Sequence, residues 1–342
     1  MIKLCKVSLN VKMLFLIFFL FFLKSFGQIN ELKEIGFDKV ELKTKSDTIV
    51  FIRSINRDNT TKPTIIFLQG SLPLPIVFKD KEEFFTLFPF KTAEYLDKYN
   101  LILIARKGIP LLGEFQRDAN GYKDANGYVP LEYIKYDNLT YRVLQTREVL
   151  NFLYKQKWVD KKAIYVVGHS EGYRVAAKLS ENNKKITKLV CMSADPFNRS
   201  TEEILKYRLD SYTQSNDSIS QNAINDITKN FLSIGKIEEY KKDADLYNWS
   251  SYNSELTFNS FKKFNNPILV IYGTNDLTAF HNDLLLFLLK DKRDFFVKAY
   301  PDYDHNFFKK EFDEDGNLVE DSYNWDTVFR DTVNWLETGK LD

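Results

Sequence analysis

The segment Gly168-His169-Ser170-Glu171-Gly172 carries the most chemistry in this 342-residue chain. A serine hydroxyl attacks a carbonyl only when a neighbouring base takes its proton. The segment follows the apolar run Ile164-Tyr165-Val166-Val167 and leads into a helical pattern, so it reads as strand, Gly-x-Ser-x-Gly, helix. That context gives a common string its meaning. A sharp strand-to-helix turn holds the serine in a strained backbone conformation, and the flanking glycines make room for it. The helix N-terminus then aims free N–H groups at the oxyanion formed on attack.

Short β-branched and aromatic runs alternate with helical patterns along the chain. Phe37 to Lys45 and Thr48 to Arg53 alternate apolar and polar residues, which predicts an antiparallel pair at a half-exposed sheet edge. Continuously apolar runs follow at Thr64–Leu68, Leu101–Ile104, Ala163–Val167, Lys188–Met192, Ile268–Tyr272 and Phe295–Ala299, as expected of parallel strands covered on both faces. Helices are predicted over Leu139–Lys157, Glu171–Glu181, Asp283–Lys290 and Trp325–Leu336. The expected class is α/β, a mostly parallel central sheet with helices on both faces. Residues 198–264 contain no strand-like run and predict a helical insertion, a lid or cap; Ser200 and Glu203 suggest a capping box at its start. Asp118 to Tyr128 repeats Asp-Ala-Asn-Gly-Tyr as a turn-rich loop, and Asp315-Gly316 suggests a hairpin turn.

On the nucleophile motif and this element order, the chain resembles the α/β-hydrolase family over nearly its whole length after residue 27. The resemblance implies a triad in the chain order Ser, acid, His. The acid is expected after the strand two places beyond the nucleophile strand, where Gly273-Thr274-Asn275-Asp276 stands; the histidine is expected after the last strand, where Pro301-Asp302-Tyr303-Asp304-His305 stands. Ser170, Asp276 and His305 are therefore the expected catalytic residues. Asp195, after the Cys191 strand, fills an alternative acid position of the fold. The chain has three histidines. His169 cannot fold back onto its neighbour's hydroxyl and reads as packing beside the strand, while His281 reads as surface or cap-adjacent. The N–H of Glu171 and the N–H of Ser71, in the loop Leu68-Gln69-Gly70-Ser71, are the expected oxyanion donors; Gln69 stands where the family carries a histidine.

Composition narrows the function. With 48 basic and 47 acidic residues the chain shows no polyanion-binding bias, so a nucleic-acid partner is not expected. No metal or cofactor motif is present. Lys3, Lys6 and Lys12 precede the apolar run Met13–Leu23 and then Ser25-Phe26-Gly27, the parts of a secretory signal over residues 1–27, with an uncleaved anchor as the alternative. Export to a secreted or periplasmic location follows, with membrane contact only in transit; the net charge of +1 becomes −3 once the four lysines of residues 1–27 are removed. Cys191 is then the sole cysteine and excludes an intrachain disulfide. The basic turn Arg106-Lys107 reads as a solvated loop or a site for a substrate carboxylate. Tyr207, Tyr212, Tyr240 and Trp249 are candidates to wall an apolar pocket, and Glu202, Glu203, Glu238 and Glu239 to hold an amine. The expected activity is hydrolysis of an ester, thioester or amide of a small molecule or short peptide through an acyl-enzyme, esterase-like first and exopeptidase second. A non-catalytic binding module is the competing class.

Overall fold

The structure, a computed structural model, describes residues 31–115, 120–214, 217–233, 243–315 and 318–341. The expected signal segment, the start of the Asp-Ala-Asn-Gly-Tyr repeat, residues 238–240 and the Asp315-Gly316 turn's second residue lie outside them. No helix among the described residues is long and apolar enough to cross a membrane.

Eight strands form the central sheet: β1 (Phe37–Lys43), β2 (Thr48–Ser54), β3 (Lys62–Leu68), β6 (Asn100–Ile104), β8 (Val159–His169), β9 (Lys188–Met192), β10 (Ile268–Gly273) and β11 (Phe295–Tyr300). Their order is β1-β2-β6-β3-β8-β9-β10-β11. The pairs β1–β2 and β2–β6 are antiparallel and the rest parallel. The edge hairpin is where the alternating pattern predicted it. In β1 only Phe37 is buried, while all five residues of β6 and all six of β10 are buried.

The pleat sorts the core onto two faces. Ile66, Leu68, Ile102, Ile164, Val166, Leu189, Cys191 and Val270 pack on one side; Ile65, Phe67, Leu101, Tyr165, Val167, Val190, Met192 and Ile271 pack on the other. Helices α2 (Leu139–Leu153) and α3 (Glu171–Ser180) cover the first face, and α10 (Trp325–Thr338) the second. Asn138 caps α2, its side chain accepting the Tyr141 N–H at 2.9 Å, and Gly339 ends α10 in the left-handed region at φ 73°.

Between β9 and β10 the described chain is helical: α4 (Arg199–Gln214), α5 (Asp217–Ser233), α6 (Ala244–Asn253) and α7 (Phe258–Lys262). The expected Ser200/Glu203 capping box is replaced by a reciprocal pair two residues earlier. Asn198 Oδ1 accepts the Thr201 N–H at 3.0 Å and Thr201 Oγ accepts the Asn198 N–H at 3.1 Å. Ser200 is not free to cap, because its N–H and hydroxyl both go to Asn253 Oδ1.

The helix expected over Asp283–Lys290 is instead two single turns, α8 (Ala279–Asn282) and α9 (Leu285–Leu288). Only Leu285 and Leu289 of that stretch reach the core, so packing supports one turn at a time. A three-stranded sheet of β4 (Val77–Asp80), β5 (Glu83–Thr86) and β7 (Leu112–Glu114) was not legible, its strands being three or four residues long. The antiparallel hairpin read around Asp315-Gly316 is present as β12 (Phe308–Phe312) and β13 (Leu318–Tyr323).

Candidate active site

Ser170 stands alone between strand and helix: β8 ends at His169 and α3 begins at Glu171. Its backbone is at φ 56° and ψ −124°, a strained conformation for a residue with a side chain. The turn is possible because the residues two positions away on either side, Gly168 and Gly172, have no side chain. A Cβ on Gly168 would lie 2.1 Å from the Gly172 carbonyl oxygen, and one on Gly172 would lie 1.9 Å from the Leu68 oxygen. Gly172→Ala therefore has to move β3 or the elbow. The variant is expected to lose more than the ~1–3 kcal/mol usual for an overpacked core, seen as a fall in Tm, or to be recovered unfolded.

Asp276 and His305 come from two loops laced together at the same end of the sheet. After β10, the Thr274 N–H donates to Tyr300 O and the Asn275 N–H to Tyr303 O, both at 2.9 Å. Gly273 lies so close to the second loop that a Cβ would be 2.1 Å from Tyr303 O. Asp304, one residue before His305, shapes the His305 turn by accepting the N–H groups of Asn306 and Phe308 at 2.8 and 2.9 Å. The result is one hydrogen-bonded chain. Ser170 Oγ lies 3.0 Å from His305 Nε2, and His305 Nδ1–H donates to Asp276 Oδ2 at 2.8 Å.

His169 holds this arrangement from behind, donating from Nε2 to the His305 carbonyl at 2.9 Å. Burial, then the neighbouring His305, pushes its pKa down to about 3, so it stays neutral. Asp276 is buried, which would raise its pKa; the hydrogen bond and charge of His305 outweigh this and hold it below the usual value. Burial would likewise lower His305, yet the hydrogen bond to Asp276 and its charge raise it above the ordinary value.

The loop after β3 passes directly over Ser170: a Cβ on Gly70 would lie 3.2 Å from Ser170 Cβ. Ser71 follows it and is exposed. The N–H of Ser71 has no protein acceptor among the described residues, and the N–H of Glu171 heads α3.

No family model and no curated protein sequence matches the chain. Solved structures do. Dipeptidyl peptidase 4 of Porphyromonas gingivalis superposes with a TM-score of 0.52 at 12% identity, covering 88% of this chain and 35% of that one. A puromycin-hydrolyzing peptidase of Mycobacterium tuberculosis gives 0.51 at 11% identity, covering 79% and 36%. This chain thus spans about a third of the length of these proteins. The chain has the α/β-hydrolase fold.

Within that α/β-hydrolase fold two sequence readings need correcting. Asp195, the alternative acid, does not meet His305. It is fully buried and its Oδ2 binds His281 Nδ1 at 2.7 Å and the Thr201 hydroxyl at 3.1 Å, while Oδ1 accepts the Phe197 N–H. His281 is accordingly partly buried beside the start of the insertion, its ring 4.9 Å from that of Phe197, which bears out the cap-adjacent of its two readings rather than the surface one. Arg106 is neither solvated nor open to a substrate carboxylate. It is 5% exposed, and its guanidinium is engaged by Asp137 and, at 3.4 Å, by Glu171. Lys107 pairs with Asp47.

Glu171 has a second identity that its backbone role concealed. Its side chain is 2% exposed and lies among three guanidiniums: Arg142 at 2.6 Å, Arg106, and Arg199 from the first residue of α4. Burial would raise its pKa, but the charges of Arg199, Arg142 and Arg106 hold it down at about 2. Arg142 was the signal available in sequence: it shares the core-facing side of α2 with Thr146, Val149 and Leu153, where a lone cation needs a buried partner. Of the insertion's candidate aromatics, Tyr212 is exposed to solvent and does not wall a closed pocket.

Proposed function

We propose that this protein is a serine hydrolase that cleaves a carboxylic ester, thioester or amide through an acyl-enzyme. The observation that carries the reading is the hydrogen-bonded chain Ser170–His305–Asp276, at 3.0 and 2.8 Å, on a strained elbow under the β3 loop. Ser170 Oγ attacks the carbonyl carbon as His305 Nε2 takes its proton; Asp276 holds the Nδ1–H tautomer and stabilises the imidazolium. The N–H groups of Ser71 and Glu171 receive the oxyanion. His305 then protonates the leaving group, and water, deprotonated by His305, releases the acyl group and restores Ser170. The substrate is a small molecule or short peptide, met outside the cytoplasm if residues 1–27 act as an export signal.

An esterase is the first reading, because the insertion's acid that acts on the base is already engaged. Glu202, whose charge acts on His305, pairs with Arg174 at 2.9 Å. The second reading, an exopeptidase, is favoured by Glu203, exposed beside Glu202 near the start of α4 and able to hold a substrate amine. Initial rates on p-nitrophenyl acyl esters and on aminoacyl-p-nitroanilides decide between them. Higher kcat/KM on the esters is expected, and hydrolysis of anilides alone would make it a peptidase.

The pH profile is a further expectation. His305 must be neutral to accept the serine proton, and its pKa is raised, so kcat/KM should climb with pH through a midpoint above the ordinary histidine value of 6.5. A midpoint below that value would show that His305 is not the titrating base.

A further inference from the structure

The three carbonyls of the β3 loop all turn away from the nucleophile into one buried polar cluster. Arg142 Nη2 donates to Gln69 O at 2.8 Å, Arg106 Nη1 to Gly70 O at 3.4 Å, and Ser71 O accepts the Tyr133 hydroxyl together with Arg106 Nη2 at 3.5 Å. Among the described residues all peptide bonds are trans. In a planar trans peptide the N–H points opposite to the C=O of the preceding residue. Holding Gly70 O against Arg106 therefore turns the Ser71 N–H the other way, and holding Gln69 O against Arg142 does the same for the Gly70 N–H.

We propose that Arg106, Arg142 and Tyr133 are positioning residues that preset the oxyanion-binding N–H groups, with the Glu171 carboxylate as the anion that keeps the guanidiniums in place. The inference rests on the serine-hydrolase reading and adds the device that makes its oxyanion site rigid. Glu171 joins the two halves: its N–H is one donor, and its carboxylate anchors Arg142 and Arg106, which aim the other. Arg106 also donates to the Tyr133 hydroxyl at 2.9 Å, with its guanidinium carbon 5.2 Å from that ring's centroid. Burial raises the Tyr133 phenol to about 12, so it remains a donor. The cluster also has an excess of positive charge. Arg106, Arg142 and Arg199 face Glu171 and Asp137, behind the place where negative charge develops. Preoriented dipoles and charge in a dry site need no reorganisation during the reaction.

The arrangement has a physical reason to exist here. The loop after β3 is short of structure of its own, and Gly70 leaves it conformationally free. An N–H displaced by an ångström costs about 10²-fold in rate. Fixing the carbonyls from outside achieves what a longer loop's packing would otherwise have to do.

Tyr133→Phe and Arg106→Lys test this on the full chain, with p-nitrophenyl butyrate as substrate and phenylboronic acid, which forms a tetrahedral adduct on the serine, as the oxyanion mimic. Both variants should lose about 10- to 100-fold in kcat with KM within about twofold. Boronate inhibition should weaken by a similar factor, and the acid limb of the pH profile should not move, because His305 is untouched. If the folded variants keep wild-type kcat, or if the loss falls on KM or arrives with a shifted acid limb, the positioning role is wrong. Should Arg106→Lys fail to fold, Tyr133→Phe, which deletes one oxygen, decides alone. A wild type that neither turns over the ester nor reacts with a fluorophosphonate would remove the serine-hydrolase reading itself; an active wild type with fully active variants removes only this inference.

Discussion

Replacing Asp276 with Asn should lower kcat about 10⁴-fold while the protein stays folded and KM changes little. The amide is nearly the same size as the carboxylate, so the loop hydrogen bond from the Thr278 N–H to Oδ1 at 2.9 Å can persist. What changes is the other oxygen. Asp276 Oδ2 now accepts the His305 Nδ1–H, and an amide presented there as a donor would force the imidazole into the tautomer that carries its proton on Nε2. That nitrogen then faces Ser170 with a proton of its own and cannot take another. The charge is lost as well, and with it the partner that most raises the His305 pKa. Residual activity should accordingly show its acid limb at lower pH than wild type. The matching Asp195→Asn change disturbs the His281 pair instead and should leave that limb where it is. An acid limb shifted by Asp195→Asn but not by Asp276→Asn would reverse the assignment of the triad acid.

The largest effect belongs to Ser170→Ala, expected to reduce kcat by about 10⁶-fold. His305→Ala should fall by a similar factor, and the double variant by little more, since the two act as one unit in the proton transfer. The loss should appear without unfolding. Alanine needs no more room than serine, although φ 56° at this position strains either side chain. Product analysis closes the argument: with an added alcohol acceptor, a covalent acyl-enzyme partitions between water and the alcohol, and direct attack by water does not.

Much of the site was legible because its constraints are local. Gly168 is required by its contact with Gly172 O inside the turn itself, so that part of the motif and the elbow are one statement, while Gly172 is required by Leu68 O, which the neighbouring strand β3 brings to it. Asp276 and His305 could be placed because each follows a run that is mostly apolar in the sequence, although only β10 is buried throughout and the edge strand β11 is largely half-buried. The misreadings share a different cause. Arg106 follows a strand and looks like a solvated turn; only the fold brings Asp137 and Glu171 to it. Asp195 and His281 are 86 residues apart and meet through the packing of the β9 and β10 loops. Ser200 has the residue type of a cap, but Asn253, from another helix, takes both of its polar groups. The nucleophile's own neighbour was half read. The backbone of Glu171 was assigned from the motif, while its carboxylate gained a role only once three arginines from three different segments converged on it.

The most direct measurement is labelling of the wild-type protein with a fluorophosphonate, followed by mass mapping of the adduct. One phosphonyl group should be found on Ser170, formed faster as pH rises through the His305 pKa and absent in Ser170→Ala. No adduct on the wild type, or an adduct that survives Ser170→Ala, would contradict Ser170 as the nucleophile.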